Sequence, residues 1–364
     1  MKIAVFSDLH AHKYKEFDKV SDLTGSTRLD SLLDVLDQIK EHCLDMGITQ
    51  ILFAGDMFHV RGRVDTVVQN RIYDKFKEIC ASGIKVLAIP GNHDDHNNKD
   101  LPEHSLHMFK DIEGMTVIDT LDHYILDDGT PVVCCRYSKN AQMVKDYINS
   151  IDPSQFENQP LLLAHLGVSG GLIGKSSYVM ADAFSVEDLR PDIFKYIILG
   201  HFHRRQFLGG YKHVLYTGAP LQHSFSDEGE HKGFYIVDTA RRCQIDFMPL
   251  ESPMFHTITK DIIEKSEECT GEHVQGNILY TGLERGDFFR VLLKENEVDW
   301  FNSVVSKYEG LQYKIVLEKQ YTQETRVDVQ VGMPFEEIVS KYAEEFNPDA
   351  KEVGLKILSV VQDK

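Results

Sequence analysis

Asp8-Leu9-His10, Gly55-Asp56, Gly91-Asn92-His93-Asp94 and Gly200-His201-Phe202-His203 occur in that order along the chain, with a lone His165 between the last two. Carboxylates, an amide and imidazoles are the donors that hold divalent transition ions, and residues two apart share one face of an extended segment. Asp8 with His10, and His201 with His203, have that spacing. Asp56 follows a glycine, which permits close approach and lets one carboxylate bridge two ions. Asn92 offers a neutral carbonyl oxygen, and His93 beside it can reach a substrate as a proton donor while leaving the metal alone. Two carboxylates, one amide and four imidazoles make a mixed oxygen and nitrogen set. Such a set suits Mn, Fe or Zn better than Ca, and Mg less well still. The chemistry it points to is two-metal hydrolysis of a phosphoester.

Each fragment has a plainer reading. Asp-x-His recurs by chance, Gly-Asp is a common turn, paired histidines sit on exposed loops, and a single strand-end histidine is often just hydrogen-bonded. Their joint occurrence in one order, mostly at the ends of apolar runs, is what favours a site.

Those apolar runs define the elements that must hold the ligands. Residues 2–7, 48–54 and 84–89 read as strands. Between them lie a helix capped at Ser26 or Thr27, with Leu29, Leu32, Leu33, Leu36 and Ile39 on one face and a stop at Gly47, and a second helix over 65–82. This is a βαβαβ pattern with ligands at strand ends. Further strands are expected at 132–136, 161–164, 196–199 and 234–237, with the hairpin-like spacing after residue 200 suggesting a second sheet. Residues 254–286 turn polar. A compact strand, helix and strand follow at 288–293, 299–309 and 313–318, with Trp300 in their core. At the end Phe335, Ile338, Val339, Tyr342 and Phe346 share a helical face; Asn347-Pro348 interrupts, and Val353, Ile357 and Val360 mark a second helix.

The 364 residues, 42% hydrophobic, are enough for one large core and a smaller unit. The expected boundaries are 1–253, 254–331 and 332–364. Six cysteines without a CxxC pair argue against disulfides and for a reducing cytoplasm. No apolar run approaches the roughly 20 residues that span a bilayer, so no membrane association is expected. A formal charge of −18 excludes a broad basic surface, and nucleic acid must be gripped locally or through a partner.

The four fragments with His165 resemble the calcineurin-like metallophosphoesterases over about the first 205 residues. Within that superfamily the chain looks like the SbcD and Mre-type nuclease group, which includes recombination-endonuclease subunits of bacterial viruses. Three features carry this: Tyr216-Thr217-Gly218-Ala219-Pro220 followed by Lys232-Gly233-Phe234, Gly55-Asp56-Met57-Phe58-His59, and the layout of cap and terminal helices.

The resemblance implies an α/β fold, a two-sheet αββα sandwich with a small α/β cap and a C-terminal helical hairpin that docks on the coiled coil of an SbcC-like ATPase. It implies Asp8, His10, Asp56 and His203 on one ion, and Asp56, Asn92, His165 and His201 on the other, the ions being Mn. His93 would assist the leaving alcohol while water attacks phosphorus in line, and His59 would handle phosphate. Many bacterial members carry Asp at the position of His59, and Ala11-His12 departs from a Leu-Gly-like pair. DNA is the implied substrate, with a homodimer inside a heterotetramer. Ligation needs neutral imidazoles, so activity should fall in mild acid.

Weaker signals stand beside these. Residues 169–176 nearly match a phosphate-binding loop but begin with Ser, and ATP binding is not expected. Arg61, Arg63, Arg204 and Arg205 flank two of the fragments and could touch a DNA backbone. His12 and His96 read as solvent-facing. Competing functions are a small-molecule phosphatase or nucleotide phosphodiesterase of the same fold, and a non-catalytic metal-binding scaffold.

Overall fold

Along the strands that precede the ligands, alternate side chains serve two different cores, which requires a sheet covered on both faces. The computed structural model describes residues 1–96, 103–172, 184–269, 276–318 and 333–362. In chain order its first part contains β1 (Lys2–Phe6), α1 (Thr27–Asp45), β2 (Gln50–Phe53), α2 (Thr66–Ala81), β3 (Lys85–Ala88), β4 (Met115–Val117), β5 (Asp122–Ile125) and β6 (Pro131–Cys135). There follow α3 (Ala141–Ser150), β7 (Leu161–His165), β8 (Ile197–Gly200), β9 (Gln206–Phe207), β10 (Val214–Tyr216), β11 (Gly233–Asp238) and β12 (Ile245–Pro249).

Two six-stranded sheets result, in the orders β12-β11-β1-β2-β3-β4 and β5-β6-β7-β8-β10-β9. Ala4 and Phe6 of β1, Ile51 and Phe53 of β2, and Val86 and Ala88 of β3 pack with the apolar faces of α1 and α2. Ile3, Val5, Leu52 and Leu87 face the other way, onto Leu161, Leu163, Ile198 and Leu215 of the second sheet. Leu162, Ala164, Ile197 and Leu199 then form a third core with Val144 and Ile148 of α3. The layers are α, β, β and α, the expected sandwich. Ser26 caps α1 by accepting from the Leu29 amide, and Asp65 caps α2 at the amides of Val67 and Val68.

The second sheet differs from the sequence reading in where it starts. It begins at β5, about eighty residues before the site expected, and β6, β7 and β8 pair in parallel. The apolar runs of β6, β7 and β8 are indistinguishable from that of β2 because all four strands are buried on both faces. β11, by contrast, returns to pair antiparallel with β1.

The cap is richer than the sequence suggested. A parallel sheet of β13 (Phe255–Thr259), β14 (Phe288–Leu293) and β15 (Gln312–Leu317) packs with α4 (Lys260–Glu267), α5 (Ile278–Arg285) and α6 (Val298–Val305). Its first strand and first two helices lie in the stretch read as polar. Residues Met1–Leu317 form one compact unit, so the cap is fastened to the sandwich. The fastening is aromatic. The Arg28 guanidinium of α1 lies 4.8, 5.1 and 4.9 Å from the rings of Tyr14, Phe255 and Phe288. Phe17 stacks on Phe288 at 5.2 Å.

The remaining unit, Glu318–Lys364, contains α7 (Phe335–Phe346) and α8 (Lys351–Gln362), the expected hairpin. Phe335, Tyr342, Phe346, Val353 and Ile357 are all exposed, and the Tyr342 and Phe346 rings sit 4.9 Å apart. No helix among the described residues is long and apolar enough to cross a membrane.

Asp287, at the head of β14, closes the cap. Its buried carboxylate accepts from Arg285 Nε at 2.8 Å, from the Met254 amide at 2.7 Å and from His256 Nε2 at 2.8 Å. Burial pushes its pKa up from 3.8, but the bonds from Arg285, His256 and Met254 outweigh this and hold it below. The carboxylate therefore contributes stability that is complete above the unfolded value and disappears as pH falls through about 4 toward the depressed folded value. We expect Asp287→Asn to lose roughly 1–3 kcal/mol at neutral pH and to flatten the acid limb of the stability curve. Denaturant unfolding from pH 7 to pH 3 checks both; parallel curves for the two proteins would refute the role.

Candidate metal centre

The parallel strands β1, β2, β3, β7 and β8 deliver their C-terminal ends to one place, and the candidate ligands sit on the residues at or just after those ends. Past β1 and β2 the chain stays paired: the Asp8 amide donates to Gly55 O at 2.9 Å, His10 to Asp56 O at 3.0 Å and Ala11 to Met57 O at 2.8 Å. These loops are strained. Asp8, His10, Asp56 and His201 have φ of 54°, 45°, 59° and 112°, left-handed values uncommon for non-glycine residues and here concentrated in the loops that carry the candidates. Gly91 and Gly200 are glycine because nothing larger fits. A Cβ at Gly91 would lie 2.2 Å from Asp56 Oδ1, and one at Gly200 would lie 2.2 Å from the Ala54 carbonyl.

Asp8, His10, Asp56, Asn92 and His165 are all buried. The His10 and His203 Nε2 atoms face each other at 2.9 Å, and Asp56 Oδ2 lies 3.5 Å from His10 Nε2 and 3.4 Å from His165 Nε2. Asn92 Oδ1 sits 2.9 Å from His165 Nε2 and 3.0 Å from His201 Nδ1. Asp8, His10 and His203 form one group of converging donor atoms, and Asp8, Asp56 and His165 another. The seven candidates are thus brought together. His165 Nδ1 is tied to the Ala54 carbonyl at 2.7 Å, which turns Nε2 inward in the manner of a metal-bound imidazole.

The donor chemistry fits divalent cations. Two buried carboxylates lie among ring nitrogens that all point inward, so acceptors outnumber donors at the centre. Burial pushes the His165 pKa down, yet the Asp56 charge overrides it and lifts the ring to about 9. Burial raises Asp8 against the pull of His165 and His203. Both shifts express a demand for positive charge between the carboxylates, which divalent ions satisfy without a proton.

His93 stands beside this cluster. Its amide donates to Asp56 Oδ1 at 2.8 Å, and its Nδ1 lies 2.6 Å from the His59 carbonyl oxygen, which fixes Nδ1 as the protonated nitrogen. The His59 ring stacks on His93 at 5.6 Å and 20°, and burial followed by the His93 charge pushes its pKa to about 4, leaving it neutral near pH 7. His12 is half-buried against Tyr14 and His59, each 5.3 Å away, where the sequence suggested a solvent-facing residue. His96 is exposed, as are Arg61, Arg63 and Arg205, while Arg204 is half-buried. Residues 173–176 of the phosphate-loop-like segment lie outside the described residues.

Several supports had no sequence signal beyond their residue type. Ser7 Oγ donates to Asp8 Oδ2 and meets Thr217 Oγ1 at 2.6 Å. Tyr14 donates to the His10 carbonyl at 3.0 Å, and His223 Nε2 reaches the Asp8 carbonyl at 3.0 Å. Asp94, legible only as the last letter of its motif, accepts four amides: Asp56 at 2.8 Å, Gly91 at 2.9 Å, Met57 at 3.0 Å and Phe58 at 3.1 Å. It staples the loops carrying Asp56 and Asn92 to each other. Asp94→Ala leaves those buried amides unpaired and should cost roughly 3–5 kcal/mol while weakening metal binding. Chemical denaturation with a Mn²⁺ titration of the folded protein checks this; undiminished metal affinity would show the staple to be dispensable.

A family model for the calcineurin-like phosphoesterases matches residues 1–205. Among curated proteins the chain is similar to the SbcD subunit of nuclease SbcCD from Staphylococcus epidermidis, 23% identical over 279 residues covering 69% of this chain and 70% of that protein. Among solved structures it is similar to a dimetal phosphatase from Danio rerio, with a TM-score of 0.37 and 10% identity over 65% of this chain and 91% of the other. It is also similar to nuclease MPE of Pseudomonas putida, with a TM-score of 0.28 and 15% identity over 68% and 87% of the two chains. The match spans Asp8 to His203, all the residues gathered at the sheet ends, and the chain belongs to the calcineurin-like phosphoesterase family, as a metal-dependent phosphoesterase with a dinuclear site.

Proposed function

We propose that this chain is the nuclease component of a complex with an SbcC-like coiled-coil ATPase, cleaving DNA phosphodiester bonds with two Mn²⁺ ions, as exonuclease and endonuclease, in repair, recombination or replication. The observation that carries the hydrolytic part is the convergence of Asp8, His10, Asp56, Asn92, His165, His201 and His203 beside His93. The similarity to the SbcD subunit of nuclease SbcCD supports DNA as substrate and an ATPase as partner. Exposed Phe335, Tyr342, Phe346, Val353 and Ile357 support docking through the terminal helices, since a small-molecule phosphatase has no need of that face.

In this reading Asp8, His10, Asp56 and His203 hold one ion, and Asp56, Asn92, His165 and His201 the other. When bound, the ions supply an activated water and offset charge on the phosphoryl oxygens. His93, with Nδ1 committed to the His59 carbonyl, presents Nε2 to carry a proton to the leaving alkoxide. His59, kept neutral, donates to a phosphate oxygen. The working divisions are nuclease 1–253, cap 254–331 and docking hairpin 332–364, and the assembly is a homodimer within a heterotetramer.

Purified protein with Mn²⁺ should degrade linear DNA, and His93→Ala should lower the rate by about 10²–10⁴-fold with both ions still bound. Hydrolysis of small phosphate esters with no action on DNA would favour the phosphatase alternative. Truncation after Gly332 should abolish co-purification with the coiled-coil ATPase and leave metal binding intact. A truncated chain that still forms the complex would rule out hairpin docking.

A further inference from the structure

Beside His203, a buried ion pair has no part in the ligand set described above. The Lys232 side chain is 3% exposed and that of Asp227 2%. A buried lysine is costly unless all three of its donors are used. Lys232 Nζ donates to Asp227 Oδ1 at 3.1 Å, to Glu230 Oε2 at 2.7 Å and to the backbone carbonyl of His203 at 2.7 Å. The third bond holds the main chain of a candidate ligand from behind. Asp227 faces the same residue: its Oδ1 lies 4.0 Å from His203 Nδ1, while His203 Nε2 is turned to His10. Its other oxygen, Oδ2, accepts the His223 amide at 3.0 Å, and the His223 ring reaches the Asp8 carbonyl at 3.0 Å. One carboxylate and one ammonium therefore brace the Asp8 and His203 loops together.

We propose that Asp227 and Lys232 are positioning residues for one ion only, the one held by Asp8, His10 and His203, with Lys232 holding the His203 main chain and Asp227 holding Lys232 and the His223 amide, so that His203 presents Nε2 to the ion. The physical basis is that groups behind a metal-binding side chain, by holding its main chain and its neighbours, set the direction in which it presents its nitrogen. Lys232 pairs with that carboxylate at 3.1 Å and clamps the His203 main chain at 2.7 Å, so the loop that carries the ring is held from behind. In the second set neither residue bonds Asp56, Asn92 or His165, and all three Lys232 donors are spent on Asp227, Glu230 and the His203 carbonyl, so the second ion should be indifferent to the pair.

The inference rests on the two-ion reading of the centre. Mn²⁺ titration of the full chain without substrate, followed by electron paramagnetic resonance, tests the two separately. If the parent protein binds fewer than two ions, it is the two-ion reading that fails. Given two binding steps, Asp227→Asn should weaken one by about tenfold or more, leave the other unchanged and reduce the spin-coupled signal of the ion pair. Asp227→Asn with Lys232→Met removes both buried charges together and should give the same selective loss in a chain whose unfolding temperature stays near the parent's. Unchanged steps in either variant, or equal weakening of both steps, would overturn the proposal. Loss of folded protein in the paired variant would also overturn it, because the pair would then serve the fold.

Discussion

Everything at the centre follows from the confinement of Asp8 and Asp56 in a dry crevice where the ends of two sheets meet. Like charges that are both essentially inaccessible repel strongly unless positive charge lies between them. The surrounding imidazoles supply ligand atoms and, at His165, the capacity to take a proton. Binding divalent ions and balancing the fold's own charge are thus one problem with one solution. The left-handed backbone at Asp8, His10, Asp56 and His201 is part of it, since ordinary strand geometry would carry these side chains past one another.

Such a centre stays in place because its loops are held by backbone bonds as well as by side chains. The Asp8 and Asp56 loops pair with each other, Asp94 joins the Asp56 loop to Gly91, and Lys232 joins the His203 loop to the start of β11. The consequence is a candidate ligand set drawn from five strand ends yet tied together across both sheets. The Arg28 cluster extends the same logic outward, fastening the cap through rings of Tyr14, Phe255 and Phe288 to the helix that covers the first sheet.

The candidate ligands were legible in the sequence because metal chemistry admits few residue types and the motifs follow strands that are strongly apolar. Asp8, His10, Asp56, Asn92, His165, His201 and His203 are brought together, and the cap of α1 falls at Ser26, one of the two residues suggested for it. The partition of strands between sheets was not legible. Leu161-Leu162-Leu163 of β7 and Ile51-Leu52-Phe53 of β2 are equally apolar, because both strands are covered on both faces, and no local pattern says which neighbour each will choose. β13 was missed because His256, Thr257 and Thr259 make a five-residue strand look polar. The supports were hidden for a different reason: Asp227 and His223 are polar residues in a loop-like stretch that only the fold buries, and Lys232 stood out only as part of the Lys232-Gly233-Phe234 segment, with nothing to say that it is buried.

That burial also reconciles the chain's charge with an anionic substrate. A net charge of −18 describes acidic groups spread over the surface, and in salt each of these acts over about 10 Å. Two divalent ions set against Asp8 and Asp56 leave about two positive charges concentrated in a low-dielectric crevice, where screening is weak. Exposed Arg61, Arg63 and Arg205 add cationic groups on segments adjoining two of the ligand motifs. With both ions bound, a phosphodiester at the centre meets local positive charge although the chain as a whole is acidic, because a group at contact distance responds to the nearest unscreened charges and not to the net charge of the chain.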